Sequence, residues 1–195
     1  MADLVLVRVG GLAAMAGGVS WSVKVLICTA SGSLWPTKGS DSLFLIAQLL
    51  LLVGLAGLYT CYKNSLERLG EAGVAFTVTF VGLVASCAGQ LGLLSSELER
   101  YVVGWGCPVE CIGLMSLGAA SSQSQAKTLP CWSSAPFIIG LLGFFSFPMG
   151  NPPGGDLEIY LTVTLRTIFG LSWVLVGYQL FSVKDKEAYS SVQQA

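Results

Sequence analysis

Between Ser42 and Tyr62 the chain reads SLFLIAQLLLLVGLAGLYTCY, without one charged side chain. A bilayer's hydrocarbon core is about 30 Å thick and takes roughly 20 mainly apolar residues as a helix. Inside it every backbone amide must find a partner within the protein, which restricts such a segment to the helical state or a closed barrel. Three further runs have this length and character: Leu4 to Cys28, Ala72 to Ser95 and Leu157 to Phe181. Composition agrees, since only 11% of the residues are charged and mean hydropathy is +0.72. A soluble domain carries about 25% charged residues. The chain is therefore expected to dissolve in lipid.

The middle reads less clearly. Residues 107–122 and 135–149 are each short for a span and are separated by the polar loop SSQSQAKTLPCWSS. The expected fold is an all-α polytopic transmembrane helical bundle over residues 1–182. Its six spans lie near 4–28, 42–62, 72–95, 107–122, 135–149 and 157–181. Four spans plus a re-entrant hairpin, tolerated where protein covers it, is the alternative. Residues 183–195 form a short polar tail. Either arrangement puts both termini on one side. With that side cytoplasmic, the inner segments hold Arg8, Lys63, Arg68, Lys127, Lys184 and Lys186, against Lys24, Lys38 and Arg100 outside. That bias favours both termini in the cytoplasm. Asp3 before Arg8 and the length of the first run argue against a cleaved signal peptide. VLIC, ending at Cys28, is a poor lipoprotein box because Ile27 stands where a small residue is wanted.

The absence of histidine excludes Ser-His-Asp triads, the HExxH zinc motif and bis-histidine haem ligation. A net charge of −1 offers no basic field for nucleic acid. No cofactor or metal is expected. The expected partners are the lipid bilayer and a membrane protein or a second copy of the chain.

Helices in lipid associate by close packing of small residues. Gly10, Ala14, Gly18 and Ser22 form such a row in the first run. Gly82, Ser86 and Gln90 form one in the third, with Ala85 and Gly89 beside it, and Gly170 and Gly177 share a face in the last. GVSW at residues 18–21 echoes GLSW at 170–173, a faint sign of an inverted repeat.

Polar groups inside the runs are the candidate site. Arg166 is nine residues past Leu157, about 13 Å into its helix at 1.5 Å per residue. Lys24 is shallower and is expected to snorkel. Arg166, Gln90 and Glu110 are the candidate ligand-binding residues, in a pocket facing outward with Arg166 anchoring an anionic or carbonyl-bearing ligand. The competing structural role is neutralisation of Arg166 by Glu110, Glu97 or a helix carbonyl.

GWGCPVECIG, residues 104–113, is expected to open the fourth span, with Cys107 as N-cap, Pro108 at the first helical position and Glu110 in the first turn, where an acid complements the dipole. Cysteines four apart on a helix stand about 5–6 Å apart at Cβ, too far for a relaxed disulfide. The position resembles that of the thiol pair in four-helix membrane oxidoreductases of the disulfide-forming and vitamin K epoxide reductase kinds. Those carry C-x-x-C, whereas this chain has C-x-x-x-C. Cys107 and Cys111 are accordingly weak catalytic candidates, and a bridge from Cys28 to Cys107 or Cys111 is an alternative. Cys61 and Cys131 fall on the reducing side. The functional expectation is a non-catalytic binding, sensing or accessory membrane subunit. An extracytoplasmic thiol oxidoreductase is the second possibility and a small-solute transporter with a pocket near Arg166 the third.

Overall fold

A computed structural model describes residues 2–30, 41–66, 70–91, 96–123, 135–146 and 156–182. They form six α-helices: α1 (Ala2–Ala30), α2 (Asp41–Leu66), α3 (Gly70–Gln90), α4 (Ser96–Gln123), α5 (Ala135–Ser146) and α6 (Asp156–Phe181). No strand occurs among the described residues. The tail from 183, Cys131, and the expected extensions of the third and fifth spans to 95 and 149 lie outside them.

Glycines report how the helices meet, because backbones approach most closely where no side chain intervenes. Gly10 packs on Gly57 and Gly54 on Ala14, while Gly17 faces Leu51 and Ala47, so α1 and α2 run antiparallel. Gly11 meets Gly177 and Gly18 meets Gly170, which sets α6 antiparallel to α1 on another side. The small row of α1 is thus split between two partners: Gly10 and Ala14 serve α2, whereas Gly18 and Ser22 serve α6. Gly82 lies against Gly106 and Glu110, and Gly113 against Thr79, pairing α3 with α4 antiparallel. Gly118 with Phe137, and Gly140 with Cys111 and Met115, do the same for α4 and α5. Gly143 touches Phe169 and links α5 to α6. With α2 also packed on α3, the six helices close into a ring in chain order. The start of α1 and the end of α6 lie side by side, at Gly11 and Gly177.

The GVSW and GLSW echo is a packing node. Its two glycines face each other so closely that a methyl on either would strike the other's carbonyl. Trp21 extends the node, stacking on Phe44 and Phe169 with ring centroids 4.7 and 5.2 Å away and donating from Nε1 to the Arg166 carbonyl at 3.1 Å.

The surface inverts the pattern of a soluble protein. Large apolar side chains are exposed on every helix, among them Leu12, Ile46, Phe80, Ile112, Ile138 and Leu171. Lys24, Gln48, Glu110 and Arg166 are buried. Three segments, Asp3–Ala30, Ser42–Cys61 and Tyr160–Phe181, are long and apolar enough to cross a membrane. Such a surface belongs in lipid, and the chain is a membrane protein.

The fourth helix corrects the expected boundary. It begins at Ser96, and Pro108 lies inside it. Cys107 is therefore no N-cap and Glu110 is not in a first turn. SELERY supplies an acidic, strongly helix-forming start, so the helix nucleates well before the proline. Pro108 then leaves the Gly104 carbonyl without its helical donor. At 28 residues α4 is about 42 Å long, whereas α5 with 12 residues reaches about 18 Å.

Candidate functional site

The glycine contacts define which residues are level across the ring. Gly18, Gly170, Gly143, Cys111, Gly82 and the 47–51 turn of α2 mark the middle. Relative to that level, eight of the nine polar or charged side chains buried among the described residues lie at the middle or toward the end away from the termini: Ser22, Lys24, Gln48, Ser86, Glu110, Ser146, Thr162 and Arg166. Only Thr79 lies in the other half, and its hydroxyl is returned to the Ala75 carbonyl at 2.8 Å. We call the two parts the polar half and the dry half.

Each helix contributes to the polar half by its own periodicity. On α6, Thr162, Arg166, Phe169 and Trp173 recur at helical spacing and form its buried stripe. Arg166 is 8% exposed and sits one turn from Thr162. On α2, Phe44, Ala47, Gln48 and Leu51 face inward. On α4 the inward stripe holds Cys107, Glu110, Cys111 and Leu114. Ser86 on α3 lies 3.4 Å from the Cys107 sulfur, Oγ to Sγ. Ser22 donates to the Gly18 carbonyl at 3.0 Å, and Ser146 to that of Gly143 at 2.7 Å. The serines are thus satisfied locally, while several longer groups are not.

Among the described residues, Gln48 Nε2 and Oε1, Glu110 Oε1 and Thr162 Oγ1 are buried without a hydrogen-bond partner. In native proteins roughly 90% or more of buried polar groups are paired. Four such atoms lie at or above the middle level of the bundle. Trp173 Nε1, in the dry half, is likewise buried without a hydrogen-bond partner.

Of the residues singled out from sequence, the structure brings Cys107, Cys111 and Glu110 together on the buried stripe of α4 and buries Arg166 on α6. Cys107 is within electrostatic reach of both Glu110 and Arg166, and Arg166 also of Cys28. Gln90 is the last residue of α3, and its side chain lies outside the described set, as does that of Glu97. Cys107 and Cys111 are 1% and 0% exposed. Both are unbridged thiols, so the Cys28 link to Cys107 or Cys111 is not formed in this structure. Lys24 does not snorkel: it is 3% exposed. Thr162 was not singled out from sequence, although its position one turn from Arg166 on the same stripe was a usable signal. Gln48 on α2 is also fully buried.

No three His, Cys, Asp or Glu side chains converge as a metal site among the described residues. A groove of about 310 Å³ runs along the outer seam of α3 and α4, lined by Val81, Gly82, Ala85, Val102, Trp105, Gly106 and Val109. Its lining is apolar, and Trp105 stands exposed at its edge.

Fold and site together define an all-helical membrane protein with an apolar core whose buried polar side chains gather, among the described residues, mainly in one half. No protein-family model, curated protein or solved structure matches the chain.

Proposed function

We propose that the protein is a six-span integral membrane protein with both termini cytoplasmic. In this reading it acts as a non-catalytic binding, sensing or accessory subunit, with its ligand taken up in the polar half near Arg166. The segregation of buried polar side chains carries the reading. A bundle built only to hold itself together gains nothing by leaving Gln48, Glu110 and Thr162 with unused hydrogen-bonding atoms, since each such group is destabilising when buried. Lys and Arg in the flanking segments favour placing the polar half toward the extracytoplasmic side. The length of α4 supports counting it as a span. α5 reaches only part way across by its described residues.

Arg166 is the anchor in this reading, because a guanidinium binds planar carboxylates and phosphates through two parallel hydrogen bonds. Ligand class is tested by thermal unfolding of the detergent-purified protein with small carboxylates and inorganic phosphate. A ligand at 100 times its Kd stabilises by about 2.7 kcal/mol. The expected result is a raised Tm for one anion class that Arg166→Met abolishes while the protein stays monodisperse. Equal stabilisation of the variant, or loss of folding on substitution, would assign Arg166 a purely structural role. Orientation is tested in intact cells with an impermeant thiol reagent on a cysteine-free background, expected to label a cysteine at Lys38 and not one at Lys186.

The thiol oxidoreductase alternative asks Cys107 and Cys111 to meet a substrate disulfide, and their burial weighs against it.

A further inference from the structure

Glu110 is the acidic side chain buried among the described residues, 2% exposed. It stands near the middle of a 28-residue helix, with its backbone pressed on Gly82 of α3. Its Oε1 is buried and accepts no hydrogen bond. A helix-dipole role is gone, because Glu110 is far from the start of α4, and the dipole's effect is confined to the first turn. A role as structural counter-ion would show as a hydrogen-bonded pair, which is what normally accompanies a buried charge. What remains is a carboxyl whose charge state is left open by the fold.

The groups around it fit that description. α4 packs on α3 and α5. From α3 come Ser86 and Cys87, and from its own helix Cys107 and Cys111, with Cys87, Cys107 and Cys111 all within electrostatic reach of Glu110. α5 brings Gly140 and Gly143 to this level and no ionisable side chain. Beyond Cys107 stands Arg166 of α6. The neighbourhood holds hydroxyl and thiol protons and one cation at a remove. Intramembrane carboxyl groups placed like this mark proton and ion pathways.

We propose that Glu110 is a proton-binding site in the wall of the polar half, taking up and releasing a proton there. The inference goes beyond the ligand reading and stands without it, needing only that the helices are folded in a membrane or detergent. A ligand anchored at Arg166 could be absent and Glu110 would still exchange its proton.

The probe is dicyclohexylcarbodiimide, an apolar reagent that reacts with the acid form of a carboxyl group. The carboxyl proton passes to a carbodiimide nitrogen and the carboxylate oxygen adds to the central carbon. The acyl group then migrates to nitrogen, giving a stable N-acylurea with no leaving group. The full-length protein in detergent is treated across pH 5 to 9, roughly the range in which perturbed carboxyl groups titrate, and adducts are mapped by peptide mass spectrometry. The expected result is an adduct on Glu110 that falls at least tenfold from the acid to the alkaline end. It should be absent from Glu110→Gln, whose monodispersity and unchanged or higher Tm show that the fold survives. A folded protein without an adduct on Glu110 at any pH overturns the proposal, and so does labelling that does not change with pH. Loss of anion-induced stabilisation with intact Glu110 labelling would remove the ligand reading and leave this one standing.

Discussion

Gln48 and Leu51 lie one turn apart on α2, both fully buried, in the turn that marks the level dividing the bundle. Leu51 fills the contact with Gly17 of α1 and belongs to the continuous apolar core. Gln48 is as well buried, yet neither end of its amide is paired. The same contrast holds between Glu110 and Leu114 on α4, and between Thr162 and Val176 on α6. In the dry half most buried side chains are apolar. The other keeps polar groups that stability does not require, the pattern expected where function is maintained at the expense of folding energy. Without a hydrophobic effect between helices in lipid, both halves must be held by close packing, as at Gly18–Gly170 and Gly106–Ser86.

The contrast breaks first at the glycine node. Replacing Gly18 by Leu drives a side chain into the Gly170 carbonyl and Val174. Overpacking of this kind costs about 3 kcal/mol or more where two backbones touch, so the variant should lose its monodisperse peak on size exclusion or unfold well below the parent. Leu51→Ala should come next, destabilising by about 2 kcal/mol through lost packing, read as the shift in the thermal or denaturant midpoint in detergent. Trp21→Phe removes the bond to the Arg166 carbonyl and keeps most of the ring contact, so a loss of about 1 kcal/mol is expected. Gln48→Leu should move the midpoint least, and upward, by roughly 0.5 to 1 kcal/mol, because an unsatisfied amide is exchanged for an apolar group of similar shape. A large loss of stability in Gln48→Leu would erase the distinction between the halves.

The long spans were legible because their signal is additive. Twenty apolar residues in a row leave the backbone no alternative to hydrogen-bonding itself, whatever the neighbours do. The fourth helix was misjudged at its start because hydropathy and helix propensity disagree there. Glu97, Glu99 and Arg100 lower the one and favour the other, and Pro108 was taken for a beginning when the helix tolerates it internally. The candidate site was legible as a set of residues and not as an arrangement. Arg166, Glu110 and Cys107 were all named from sequence. That Cys107 is within electrostatic reach of both the others, and that Lys24 is buried, follows from which helix lies beside which.

Length and hydropathy alone determined that the chain is helical and belongs in lipid, for these are properties of each segment and its solvent. The absence of histidine excluded triads, zinc motifs and haem ligation that need it. The face each helix turns inward was decided only by packing, because a helix apolar all round carries no periodic mark of its buried side. Small residues allow several partners, and α1 used one row for two. The closed ring alone set eight polar side chains from all six helices at or above one level, since residues far apart in the chain share a depth only when the antiparallel registers are fixed together.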